Sequence, residues 1–227
     1  MVTDVQVPGP GGNIPVQLYQ PSEGATEHFL FYFHGGGFCW GGITSHDAVC
    51  RRLAKATQAV IVAVDYRLAP EHPYPAGLDD CCAATQWVYD NAAELKLPRG
   101  RFTVGVSGDS AGANLAACLT LRARSDAAFP RLQYQILICP VVRHLRSVPM
   151  DGSRQEFKDD PELSFQGGLT AFTAYFGNLD SHIKDPQAFP LEAEDLAGLP
   201  PTLILTAERD ILRDDGVRYA ERLKAAG

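Results

Sequence analysis

Five short, predominantly apolar runs, separated by stretches of helical periodicity, limit the folds open to this chain more than any other feature. They are Phe29–Phe33, Ala59–Val64, Phe102–Ser107, Tyr134–Cys139 and Thr202–Ala207. A strand such as Ala59–Val64, with no polar residue on either side of its pleat, must be covered on both faces. Apolar strands that alternate with amphipathic helices meet that demand as a mostly parallel sheet with helices on both sides. Helices are expected from Ser45 to Thr57, Leu78 to Asn91, Ala111 to Ala123 and Asp214 to Ala226. The first has Val49, Leu53 and Ala56 on one face, and Thr44 with Asp47 reads as its capping box. Pro70, Pro73 and Pro75 force a loop ahead of the second. Val2–Val7 and Ile14–Tyr19 flank a Gly/Pro-rich turn and read as an N-terminal hairpin.

The alternation breaks between Pro140 and about Leu196, a stretch too polar and too long for an ordinary connection. The expected organisation is therefore a core formed by residues 1–140 and continued by 196–227. Residues 141–195 would be a cap inserted between them, partly helical around Leu169–Phe176 and lying over the C-terminal edge of the sheet.

Charge and composition exclude several function classes. Acidic residues outnumber basic ones by 27 to 20 for a net charge of −7, and no basic stripe suits a nucleic acid. No apolar stretch approaches the length of a membrane span, and the first twenty residues do not read as a signal peptide. The six cysteines form no CxxC pair and fit small buried side chains in a reducing, cytoplasmic setting. Zincin, P-loop and dinucleotide fingerprints are absent.

Three segments carry chemistry. Gly108-Asp109-Ser110-Ala111-Gly112 follows an apolar strand and opens a helix, the context of a nucleophile elbow. Its glycines suit a sharp strand-to-helix turn where flanking side chains would collide, and the helix start directs amides at developing negative charge. His34-Gly35-Gly36-Gly37 follows the Phe29–Phe33 strand, and its glycines let backbone amides approach an acyl oxygen. Gly36, Gly37 and the Ala111 amide are the oxyanion donors expected, with His34 holding the loop rather than moving a proton. Asp210, just after the Thr202–Ala207 strand, stands where the acid of a Ser…Asp…His order belongs. Phe38 and Trp40 suit either an acyl-pocket wall or the packing of an exposed loop.

With His34–Gly37, Val64–Pro73, Gly108–Gly112 and Leu212–Gly216 in this order, the chain resembles the hormone-sensitive-lipase family of α/β-hydrolases, in its bacterial acetyl-esterase and carboxylesterase branch. The resemblance runs from Val5 to Gly227. It implies the α/β-hydrolase fold and hydrolysis of small carboxylic esters with no metal and no organic cofactor; the lacking N-terminal cap segment and the net charge of −7 favour short, uncharged acyl chains. It also implies Ser110 as nucleophile, Asp210 as triad acid, and Gly36, Gly37 and Ala111 as oxyanion hole. His72 falls in a structural segment of the family. The pattern departs at both ends. Most of an N-terminal helical cap segment is lacking, and the histidine that the family carries beyond the acid does not occur among the 17 residues after Asp210. All six histidines precede Asp210. The last strand and helix are accordingly expected to be missing, and the chain as it stands to be nearly inactive. A non-catalytic, receptor-like ligand-binding protein on the same fold is the alternative. Oligomeric state is left open.

Overall fold

A computed structural model describes residues 1–21, 27–95, 97, 102–147 and 149–227. Seven strands form one sheet in the order β1-β2-β4-β3-β5-β6-β7. Its antiparallel edge is the expected hairpin, β1 (Val2–Gly9) with β2 (Gly12–Tyr19), and β2 also runs antiparallel to β4 (Val60–Val64). Every other pairing is parallel: β3 (His28–Phe33) with β4 and with β5 (Thr103–Asp109), then β5 with β6 (Tyr134–Ile138) and β6 with β7 (Thr202–Leu205). All five residues of β4 are buried, as a centrally placed apolar strand requires.

Helices α1 (Ile43–Thr57), α2 (Ala76–Asp90) and α3 (Ala111–Ser125) connect the parallel strands, and α6 (Arg213–Ala225) follows β7. In α3 every residue from Ala111 to Leu121 is buried. Its small Ala, Gly and Cys side chains let it lie close against β3, β5 and β6. The start of α1 differs from expectation. Its cap is Gly42, and Ser45, not Asp47, reaches back, its hydroxyl accepting from the Gly42 amide at 3.0 Å. Asp65, just past β4, accepts the Ile43 amide at 3.1 Å, an acceptor that only the folded sheet supplies. Asp47 instead pairs with Arg51 one turn along.

Between β6 and β7 lie two helices, α4 (Gly152–Glu156) and α5 (Phe165–Phe176), and a 3-10 turn at Pro190–Glu192. The buried side chains Leu145, Phe172, Tyr175, Phe176 and Phe189 belong to the same apolar cluster as α3 and the sheet. Asn114 of α3 fastens this stretch, its amide donating to the carbonyls of Val141 at 2.6 Å and Ala188 at 2.7 Å. No helix among the described residues is long and apolar enough to cross a membrane.

Candidate active site

The turn from β5 into α3 places Ser110. Its backbone is left-handed, at φ 54° and ψ −116°, a conformation that costs a non-glycine residue on the order of 1–3 kcal/mol. The surroundings hold it there. The Ser110 amide donates to the carbonyl of Ile138 at 2.8 Å, and its carbonyl accepts the Asn114 amide at 3.1 Å. The flanking glycines are set by close approach: a Cβ on Gly108 would strike Gly112 and the Phe33 carbonyl, and one on Gly112 the carbonyls of Phe33 and His34. β3, β5 and α3 therefore meet with no room for a side chain, and Ser110 is turned outward, half-buried.

The loop after β3 carries the second part. Gly36 stands at φ 122° and Gly37 at φ 59°, and a Cβ on Gly36 would overlap the Trp40 carbonyl. The Gly36 carbonyl is occupied by the amides of Cys39 at 3.0 Å and Trp40 at 3.1 Å. The Gly36 and Gly37 amides have no acceptor among the described residues. Ala111 is the first residue of α3, so its amide has no partner within the helix.

His34 lies beneath this loop, buried and stacked on Tyr66 at 4.3 Å between ring centroids. Its Nδ1 is 2.7 Å from the Gly35 carbonyl, and the Tyr66 hydroxyl donates to the His34 carbonyl at 2.7 Å. Burial lowers its pKa, so the ring is a neutral strut at pH 7.

One carboxylate ties the loop to the nucleophile turn. Asp109 Oδ1 accepts from the Tyr32 hydroxyl at 2.6 Å and the Gly35 amide at 3.0 Å, and lies 3.6 Å from His46 Nε2. Burial pushes the Asp109 carboxyl up, but the His46 ring beside it and hydrogen bonds from Tyr32 and Gly35 outweigh it and hold it below its ordinary value.

Asp210 follows β7, with its Oδ1 accepting the Leu212 amide at 2.8 Å. It neighbours Cys139, the residue after the carbonyl that anchors Ser110, so both groups are held around the end of β6. Burial raises its pKa, opposed by the Leu212 amide and the Cys139 thiol. Burial, with Asp210 beside it, raises the Cys139 pKa in turn, so this thiol is protonated at pH 7.

The histidines are placed elsewhere. His28 starts β3 at the far edge of the sheet, 2.6 Å from Thr103 Oγ1. His72 lies on an exposed loop, and His182 lies beside Tyr74 and Asp185. His144 is enclosed by Phe172, Phe176 and Phe189. Among the described residues, no group of three or more His, Cys, Asp or Glu could hold a metal ion.

Ser110, Gly36 and Gly37 open into a cavity of about 520 Å³ walled by Val141, Leu145, Leu163, Phe172, Ile211 and Leu212. Phe38 and Trp40 both line it: Phe38 is buried and stacked on Tyr175 at 3.9 Å, while Trp40 stands at the mouth, 61% exposed. Sequence reasoning missed the walls from residues 141–172, because they come from loops and from α5 without a motif. The apolar pair Ile211-Leu212, directly after Asp210, was the one signal available. Tyr32 and His46 were also missed, since only the fold brings them to Asp109.

Comparison with known proteins sets this geometry in context. A family profile described as alpha/beta hydrolase fold matches residues 30–227. Esterase LipI of Mycobacterium tuberculosis is 42% identical over 230 residues, covering all of this chain and 70% of LipI. Carboxylesterase NlhH of the same organism is 44% identical over 219 residues, 95% of this chain and 66% of NlhH. The chain thus spans about two thirds of the length of these curated relatives. A solved hyperthermophilic esterase from Pyrobaculum calidifontis superposes with a TM-score of 0.91 at 43% identity, over 100% of this chain and 71% of the other.

Proposed function

The chain belongs to the α/β-hydrolase family, in the branch whose relatives are bacterial carboxylesterases, and from that premise we propose that it is a serine carboxylic ester hydrolase acting on short-chain acyl esters. The observation that carries the reading is the meeting, in one apolar cavity, of an outward-turned Ser110 with the unpaired amides of Gly36 and Gly37. An ester carbonyl seated there has its oxygen toward these amides and its carbon toward Ser110 Oγ. Attack forms a tetrahedral intermediate whose oxyanion the Gly36, Gly37 and Ala111 amides stabilise. The ester C–O bond then breaks, leaving the acyl group on Ser110 for water to remove. Asp210 is the acid that orients an imidazole in such a triad. No histidine of these 227 residues is placed between it and Ser110, so the proton-transfer partner is not among the groups described above.

The cavity supports short, uncharged acyl groups. Its walls are apolar, and the charged groups near it, Glu162 on its lining and Asp210 beside Ile211, are both anionic and oppose a carboxylate. A fluorophosphonate tests the nucleophile without requiring turnover. Prolonged incubation is expected to leave one adduct, on Ser110, found by peptide mass spectrometry and lost in Ser110→Ala. Undiminished labelling of Ser110→Ala would overturn the assignment. Among p-nitrophenyl esters, a preference in kcat/KM for long over short acyl chains would overturn the substrate class.

A further inference from the structure

The carboxylate of Asp109 poses an electrostatic problem for the site just described. It belongs to the residue before Ser110, is partly buried, and receives only neutral donors from Tyr32 and Gly35. A partly buried anion next to the nucleophile opposes the negative charge that would develop on an acyl oxygen there. Among the described residues, the basic side chain within reach is His46 of α1, whose Nε2 is 3.6 Å from Asp109 Oδ1. The other side of the ring indicates its protonation state. Ser45 Oγ accepts the Gly42 amide at 3.0 Å and is 2.9 Å from the Gly42 carbonyl, where its single proton completes the helix cap. On that side His46 Nδ1 lies 2.9 Å from the same oxygen and 3.4 Å from the Gly42 carbonyl, two acceptors for a proton on that nitrogen. Nε2 faces the Asp109 carboxylate at 3.6 Å. A ring protonated on both nitrogens has an N–H for each side.

We propose that His46 is a positioning residue held as an imidazolium, which neutralises Asp109 beside the nucleophile while Asp109 fixes the Gly35–Gly37 amide loop. The proposal rests on the ester-hydrolase reading for its consequence in rate, but not for the state of the ring. Every element packed around His46 agrees with a cation there. β5 contributes Asp109, β3 the neutral Tyr32, and the loop after β3 the neutral His34, 5.4 Å away between ring centroids. Asp65, at the end of β4, caps the start of the same helix, and Asp47 and Cys50 are the titratable neighbours on α1 itself. The Asp109 carboxylate beside it raises the His46 pKa against the lowering effect of burial.

The first test needs no turnover. In ¹⁵N-resolved NMR of the whole chain, both His46 nitrogens are expected to carry protons at pH 7. The Gly35, Gly36 and Gly37 amide resonances should shift with the His46 titration as pH rises. A neutral His46 ring at pH 7, or glycine amides that do not follow it, would overturn the proposal. The second test separates charge from packing through the rate of Ser110 phosphonylation. His46→Gln is expected to slow it about tenfold by leaving Asp109 unpaired. Adding Asp109→Asn should restore most of the loss, because it removes the anion. A double variant slower than His46→Gln would show a purely structural role and overturn the proposal. If Ser110 is not labelled even in the unsubstituted chain, the hydrolase reading fails while the NMR result still decides the state of His46.

Discussion

At the scale of single residues, backbone conformation and burial decide what can be exchanged. Gly36 combines φ 122° with a carbonyl of Trp40 where a Cβ would lie. Gly36→Ala is expected to displace the amide loop and slow reaction at Ser110 by on the order of 10²-fold, the cost of losing one oxyanion donor. The thermal midpoint should fall as well, because Phe38 of the same loop is buried in the core and stacked on Tyr175. Parallel measurement of phosphonylation rate and thermal unfolding checks both. His144 has a different consequence. Burial among aromatic rings, with Arg146 close by, lowers its pKa from 6.5 to about 4. The folded chain thus binds this proton less readily than the unfolded chain. The stability due to the neutral ring is complete above the unfolded value and is lost as pH falls from about 6.5 toward 4. The ring's share is at most about 3 kcal/mol. Urea midpoints measured from pH 7 to pH 4 should decline, and His144→Leu should flatten that decline. An unchanged slope in His144→Leu would refute the assignment.

At the scale of elements, α4 and α6 are joined by a buried ion pair. Arg154 of α4 pairs with Asp215 of α6, both nearly inaccessible, and donates to the Leu145 carbonyl at 2.9 Å. Breaking such a pair leaves a charge without a partner. Asp215→Ala is expected to cost about 3–5 kcal/mol in urea unfolding, and the double replacement Arg154→Met with Asp215→Leu much less. A double variant as unstable as Asp215→Ala would refute this. The Leu212–Gly216 string drew attention to Asp215 in the sequence, but Arg154 lies in a stretch without periodicity, so its role as partner was illegible. The same contrast runs through the fold. Strands with apolar residues on both sides of the pleat, and the long helix α3, follow from local pattern because burial on all sides leaves little choice. The cap of α1 departs from its local pattern, because its acceptor at Asp65 follows β4 and comes only with the folded sheet. In the candidate site, Ser110 and the glycines were legible through their spacing, and both Phe38 and Trp40 proved to line the cavity. The walls Leu145, Phe172 and Ile211 were not legible, since an apolar residue in a loop looks the same whether it faces a cavity or a neighbour.

For the whole molecule, the sheet has two unlike edges. The hairpin β1–β2 forms one. At the other, β7 pairs among the described residues only with β6, and Leu203 and Leu205 stand 55% and 46% exposed. An apolar strand with an open hydrogen-bonding edge is a template for pairing. The 227-residue chain is expected to self-associate with rising concentration in sedimentation velocity, and Leu203→Lys to shift it toward the monomer. Equal association by both would show that β7 is not the contact. The order of the strands has a further consequence, for the chain as it is made. Once β4 has slotted between β2 and β3, each later strand joins the same side: β5 on β3, β6 on β5, β7 on β6. The sheet can therefore widen in step with synthesis, each new strand finding a finished edge and none having to part an older pair. The amide loop and the serine turn come together with the third and fifth strands to leave the ribosome, whereas the acid waits for the seventh. The emerging polypeptide thus holds Ser110 seated in its turn before the segment that carries Asp210 has been made.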